Sequence, residues 1–157
     1  MALYFPQDVK PVLLYQGAAN AVACDYISLK NVMKFWFLVT HTGANDTDLV
    51  LTVKEATSVA GGSVQTIGRT VQIWLDADAG TTSDTLVRQT DATGYTIDPA
   101  TQDGVQIVFQ IDPAYLSAGF DCVNLGDSGG HASNICTIHA ICEMNFQMAT
   151  PLTVITD

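Results

Sequence analysis

The chain has 157 residues, of which 48% are hydrophobic and 14% charged, and its 6 Lys and Arg against 16 Asp and Glu leave a formal net charge of -10. This balance argues against nucleic acid and membrane partners, because phosphates and anionic membranes both attract Lys and Arg. The length fits one domain over residues 1–157, whose partners would present neutral or basic surfaces.

The sequence also predicts a location. Its longest apolar run, residues 35–39, is far shorter than the roughly 20 residues that span a bilayer. Residues 1–8 show neither the basic segment nor the apolar core of a secretory signal, so we expect a chain that begins at or near Met1 in a reducing cytoplasm. Disulfides are not expected there. Without Cys-x-x-Cys spacing, the cysteines are interpreted as buried thiols: Cys24, Cys122, Cys136 and Cys142.

Alternation of apolar and polar residues with a period of two is the dominant pattern along the chain. Such alternation is typical of strands that bury one face. The predicted strands, in chain order, cover residues 11–15, 25–29, 33–40, 49–56, 71–75, 85–89, 105–111, 120–125 and 134–148. The last is the clearest, since apolar residues occupy its even positions: Cys136, Ile138, Ala140, Cys142, Met144, Phe146 and Met148.

Turn-forming residues separate these strands, at 43–46, 61–63, 79–80, 92–94, 98–99, 102–104, 119 and 126–130. A helical pattern occurs at one turn, residues 112–116, with Asp112 as N-cap and Pro113 as first helical residue. About nine strands exceed what one sheet holds in so short a chain, and their apolar faces need a second sheet as cover. The sequence therefore predicts an all-β fold, a β-sandwich or jelly roll of about eight to ten antiparallel strands.

The two ends differ from the middle. Residues 1–12 carry Pro6 and Pro11 among large apolar groups, and residues 149–157 follow the last strand as an extended tail. Two interpretations stay open for each end. It is either an arm that binds a neighbouring subunit or an ordinary edge strand or frayed terminus.

The segment Gly126-Asp127-Ser128-Gly129-Gly130 resembles the nucleophile motif of chymotrypsin-like serine proteases. That resemblance implies Ser128 as the nucleophile and backbone N–H groups that bind the oxyanion. Chain order alone would allow His41 as the base and one of several aspartates as its partner: Asp76, Asp78, Asp84 or Asp91. The surroundings of this pentapeptide and the short chain favour a tight loop between two strands, so we expect no catalytic residues.

Metal sites are also not expected. Asp76, Asp78 and Asp84 suggest a calcium loop, but the spacing departs from the EF-hand, because Val87 stands where the bidentate glutamate belongs. A solvated acidic turn is the favoured interpretation. The three histidines lack a metal-binding partner at helical spacing: His41, His131 and His139. The sequence contains no phosphate-binding loop either, so no metal and no cofactor are predicted.

Five segments together resemble a family of small virion proteins of tailed bacteriophages, and within it the capsid decoration (cement) proteins. They are FPQDVKPV (5–12), DYISLKN (25–31), VFQIDP (108–113), GFDCV (119–123) and QMATP (147–151). The resemblance implies a β-rich homodimer or homotrimer that binds the outside of a shell of major capsid protein. It also implies a variable loop at 126–133 and a place on the capsid exterior of the virion, after synthesis in the host cytoplasm.

Residues of both ends are the expected contacts with the capsid or with other subunits: Leu3, Tyr4, Phe5, Pro6, Pro151, Leu152, Val154 and Ile155. We also expect the acidic residues to cluster on outward, loop-bearing surfaces, away from the shell. The nearest alternative is a tail or head-fibre component of the virion. A carbohydrate-binding module is a further class, although Trp36 and Trp74 fit a core or an interface equally well.

Overall fold

Eleven β-strands and one short 3-10 helix build the part of the chain that the computed structural model describes, residues 4–43, 45–80, 84–102 and 104–156. The strands are β1 (Val9–Ala18), β2 (Ile27–Ser28), β3 (Val32–Thr42), β4 (Leu49–Ala56), β5 (Gln65–Thr66), β6 (Gln72–Asp76), β7 (Val87–Arg88), β8 (Gly94–Ile97), β9 (Val105–Ile111), β10 (Cys122–Gly129) and β11 (Ile135–Met144).

The strands form two antiparallel sheets. The large sheet has the order β1-β11-β3-β9-β6-β7, and the small sheet has the order β2-β10-β4-β5, with β8 also paired to β4. The predicted all-β sandwich is confirmed, with slightly more strands than expected. The jelly-roll connectivity stays a prediction.

Antiparallel pairing gives the sandwich two distinct ends. At the near end β1, β3 and β10 begin and β4, β9 and β11 finish. At the far end lie the described residues of the connections 43–48, 77–86, 98–104 and 130–134. The N-terminal and C-terminal segments lie at the near end of the sandwich. Most of the acidic loops lie at the far end.

The core is the space between the sheets, filled by alternate residues of each strand as predicted. Phe35, Phe37 and Phe109 are fully buried there, with the first two rings in an edge-to-face contact at 4.6 Å between centroids. The alternations predicted for residues 71–75 and 105–111 are confirmed, since their odd positions are buried. In β11 the even positions from Cys136 to Met144 are buried as well.

The predicted last strand is too long. β11 ends at Met144; the backbone N–H of Asn145 still bonds to the carbonyl of Asn31 at 2.9 Å, and the chain bends away from the sheet at residues 145–146. Phe146, predicted to continue the buried face, is 47% exposed, and Met148 is half-buried outside any strand.

The predicted helical turn is confirmed as a 3-10 helix at Pro113–Tyr115. Asp112 caps it, with its Oδ1 accepting from the N–H of Ala114 at 2.8 Å. Two short strands were not predicted, β5 and β8, the latter lying partly where a turn was expected at residues 92–94. Gly94 fits this strand because any Cβ there would collide with the backbone oxygen of Leu51.

The predicted N-terminal arm over residues 1–12 is too long. Strand β1 begins at Val9 and pairs with β11 from Val9↔Glu143 onward, so residues 9–12 belong to the edge of the large sheet. For these four residues the edge-strand interpretation is the correct one. Of the arm, residues 4–8 remain outside the sheet.

Candidate functional site

The N-terminal and C-terminal segments meet at the near end of the sandwich. Lys10 Nζ donates to the carbonyl of Leu152 at 2.6 Å, and Gln147 Nε2 donates to Gln7 Oε1 at 3.2 Å. Segments that the sequence separates by 140 residues or more therefore share one surface. We call Tyr4, Phe5, Pro6 and Phe146 the terminal surface.

The N-terminal part of the terminal surface is a closed turn. The N–H of Tyr4 donates to Asp8 Oδ2 at 2.7 Å, and the N–H of Asp8 donates to the carbonyl of Tyr4 at 2.7 Å. Asp8 is itself tied to the large sheet, because its carbonyl accepts from the N–H of Met144 at 2.8 Å. The turn presents Tyr4 and Phe5 to solvent, with 57% and 71% of their surfaces exposed.

An ordered, exposed aromatic pair is a favourable anchor for a protein partner. Aromatic side chains offer a large apolar area with few rotatable bonds, so binding costs them little conformational entropy. Because the backbone of the turn is already held by hydrogen bonds, its ordering is also complete before a partner arrives.

The C-terminal segment closes the near end of the core. Val154 is 2% exposed, and its carbonyl accepts from the N–H of Ser28 at 2.7 Å. Val154 was predicted to contact another subunit, and this is wrong, because the side chain packs into the core of its own chain. Pro151 and Leu152 are half-buried, Ile155 is 41% exposed, and Leu3 lies outside the described residues.

Charge is distributed unevenly between the two ends. All 6 Lys and Arg lie in the near half of the sandwich or close to its middle: Lys10, Lys30, Lys34, Lys54, Arg69 and Arg88. The far-end connections contain no Lys or Arg but hold several aspartates, among them Asp46, Asp48, Asp78 and Asp98. The cations near the terminal surface form ion pairs, Lys30 with Asp121 and Lys34 with Glu143, each at 3.4 Å.

The protease-like pentapeptide is predicted to be a loop, and this is wrong for its first four residues. Residues 126–129 belong to β10 and pair with β4 from Gly126↔Thr52 to Gly129↔Leu49. The bend before β11 begins at Gly129 and Gly130, which have φ angles of 81° and 73°. A Cβ at either position would collide with a backbone oxygen, so the bend itself explains the paired glycines.

The triad that the pentapeptide would need is not assembled. Ser128 is exposed in the small sheet, whereas His41 is buried on the inner face of β3 in the large sheet. His41 Nε2 has no hydrogen-bond partner among the described residues, although a triad uses this atom to bond the serine hydroxyl. Burial also lowers the pKa of His41.

The remaining candidate groups are held within the fold. Asp76 is buried and its Oδ1 accepts from the N–H of Asp78 at 3.2 Å, while residues 81–83 of the same connection lie outside the described part. No cluster of three or more His, Cys, Asp or Glu suited to a metal occurs among the described residues. All four cysteines are free thiols. Burial raises the pKa to about 12 at Cys24, Cys136 and Cys142, which makes poor nucleophiles of them.

Sequence reasoning missed one residue that shapes the far end. Asn134 is fully buried, its Nδ2 donates to the carbonyl of Asn45 at 2.8 Å, and its Oδ1 accepts from the N–H of Asn45 at 3.1 Å. The acidic connection 43–48 is thereby fixed to the start of β11. The sequence signal for this role is that Asn134 is polar although it occupies an even position, directly before the apolar even positions of the last predicted strand.

Comparisons with protein-family models, with curated protein sequences and with solved structures found no match to this chain. Within the described residues, no helix has the length and hydropathy needed to cross a bilayer.

Proposed function

We propose that this chain is a non-catalytic structural subunit of a phage virion, a decoration protein that binds the outer surface of a shell of major capsid protein. The observation that carries the proposal is the polarity of the molecule. Its near end presents ordered aromatic side chains beside paired charges, and its far end is acidic. The sequence resemblance to capsid decoration proteins supports the same function.

The polarity gives the subunit a direction of binding. Tyr4 and Phe5 are the anchors that enter a pocket or groove of the shell, where burial of aromatic surface dominates the binding energy. The acidic connections of the far end then face solvent, away from the shell. A shell repeats the same contact many times, so a modest affinity per contact suffices for an oligomeric subunit that binds two or three sites at once.

Co-sedimentation with purified, expanded and undecorated capsids tests the proposal. The double variant Tyr4→Ala/Phe5→Ala should weaken shell binding at least about tenfold, because it removes the proposed anchors. The matched control is Ile135→Ala, which shortens an exposed apolar side chain at the far end and should leave binding unchanged. If the double variant binds shells as tightly as Ile135→Ala does, the near end is not the contact surface. Binding to purified tails but not to shells would replace the decoration role by a tail role.

A further inference from the structure

The outer faces of the two sheets differ in composition. The outer face of the small sheet carries mostly glycine and hydroxyl residues, in the cross-strand rows Gly126, Thr52, Gly94 and Ser128, Val50, Thr96. The outer face of the large sheet carries one row across all six strands that is mainly apolar: Leu13, His139, Leu38, Val108, Trp74 and Arg88. A sandwich that exposes both outer faces to water has polar residues at these positions.

A second row adjoins the first and extends the apolar surface. Between Pro11 and Gln72 at its two edges, this row places Ile141, Trp36 and Gln110. An open groove of about 330 Å³ lies between Trp36 and Trp74, and Leu86, Val108 and Gln110 complete its lining. We call the first row together with Ile141, Trp36 and Gln110 the tryptophan face. Leu13, in the edge strand, is more than half exposed, and the other apolar members are half-buried.

Two polar side chains of the tryptophan face, Trp36 and Arg88, already interact within the chain. Trp36 Nε1 donates to Gln110 Oε1 at 3.3 Å. The guanidinium of Arg88 lies 4.8 Å from the ring centroid of Trp74 and also pairs with Asp91. A partner of this face therefore has few directional groups to recognise and mainly covers apolar surface.

Charge favours a second copy of the same chain as that partner. With a net charge of -10, two copies repel each other at most surfaces. At the tryptophan face the charged groups compensate each other, Arg88 with Asp91 in the first row and Lys34 with Glu143 beside the second. Two copies can meet there without bringing unpaired acidic groups together.

The outer face of the large sheet, with the tryptophan face at its centre, is wide enough for a dimer. Six strands spaced about 4.8 Å apart span about 24 Å, and seven residues of β3 extend about 23 Å along the sheet. The projected area of this whole outer face, about 550 Å², corresponds to a larger accessible area, because side chains roughen the surface. It approaches the roughly 800 Å² per partner that a standard interface buries.

We propose that two copies of this chain form a two-fold symmetric dimer through the tryptophan face. A two-fold axis near Leu38 and Val108 brings each large sheet against its counterpart, in the face-to-face packing that sheets adopt at about 10 Å. The tryptophans are then the central buried residues, as is common at interfaces. This dimer does not depend on shell binding, which uses the near end.

Sedimentation equilibrium of the full chain, without capsids, tests the dimer. The wild-type chain should sediment as a dimer at micromolar concentration. Leu38→Glu should raise the dissociation constant at least about 100-fold, because the two-fold axis brings two unpaired carboxylates into an apolar contact. Thr52→Glu is the matched control, since it adds the same charge at a half-buried outward position of the small sheet and should leave the dissociation constant unchanged.

A second variant and a second measurement guard against misfolding. Leu13→Glu lies on the exposed edge strand, where a charge is tolerated by the fold, and should also dissociate the dimer. Acrylamide should quench the fluorescence of Trp36 and Trp74 less in the dimer than in the dissociated variants. A wild-type chain that stays monomeric up to about millimolar concentration, or equal dissociation by Thr52→Glu, would overturn the proposal.

Discussion

His41 and Glu55 show how burial acts on single ionisable residues in this core. Burial alone lowers the pKa of His41, whose Nε2 has no partner among the described residues. Burial alone would raise the pKa of Glu55, but hydrogen bonds from Ser117 and Gln65 outweigh it and the pKa is lowered. The imidazole therefore stays neutral in the folded protein, and the carboxylate stays charged and ties β5 and the segment after the 3-10 helix to β4.

The neutral state of His41 makes stability depend on pH. The unfolded chain takes up a proton at His41 below a pKa of 6.5, whereas the folded chain resists this protonation, so stability falls as the pH drops below about 6.5. Between about pH 7 and pH 5, wild type should therefore lose more unfolding free energy than His41→Leu. Urea unfolding at several pH values measures this difference.

His41 and Glu55 affect stability in different pH ranges. The lowered pKa of Glu55 acts below its ordinary value of 4.5, where stability is lost as the pH falls through the folded pKa. His131→Leu is measured alongside as the matched histidine-to-leucine substitution, at a half-buried position of the 130–134 connection. Parallel pH profiles for wild type and His41→Leu would contradict the role assigned to His41.

At the scale of elements, the C-terminal segment belongs to the sandwich. It has no strand of its own within the described residues, but it caps the core through Val154 and is held by hydrogen bonds from Ser28 and Lys10. Removal of residues 149–157 would therefore expose one end of the core. Such a deletion cannot test partner binding alone, and point substitutions are needed.

Adjacent residues of this segment provide the test. Val154→Ala should lower the free energy of unfolding by about 1–2 kcal/mol, because it removes buried methyl groups and leaves a small cavity. Ile155→Ala shortens the exposed neighbouring side chain and should change the free energy of unfolding by less than about 0.5 kcal/mol. Urea unfolding followed by tryptophan fluorescence gives both values. Equal effects would mean that the segment does not pack as described.

The sequence predicted the elements whose signal is local. Alternation identified the inner faces of β6, β9 and β11 because a single strand contains the whole pattern. It could not place residues 126–129 in β10, since glycine and serine favour turns and the pairing with β4 comes from residues about 75 positions earlier. Likewise, the sequence shows that Val154 is apolar, but nothing local to the C-terminal segment tells whether the chain's own core or a partner covers the side chain.

At the scale of the whole molecule, the acidic excess is concentrated at one end. The far-end connections place Asp46 and Asp48 near each other in sequence, without Lys or Arg in any of these connections. Mutual repulsion between the carboxylates works against the folded state, and it is offset by fixed contacts such as the Asn134 hydrogen bonds to Asn45. The acidic end therefore costs the folded state some stability.

Salt should reveal this repulsion. Raising the ionic strength from about 10 mM to about 150 mM shortens the Debye length from about 30 Å to about 8 Å, which screens the carboxylates of the far end from each other. The free energy of unfolding should therefore rise, by about 1 kcal/mol, and Asp46→Asn/Asp48→Asn should raise it at low salt and reduce the response to salt. Lys30→Met, at the near end, removes a cation instead and should enlarge the response. Urea unfolding at both salt concentrations measures these changes. If the wild-type protein loses stability with added salt, ion pairs such as Lys30–Asp121 outweigh the repulsion at the far end.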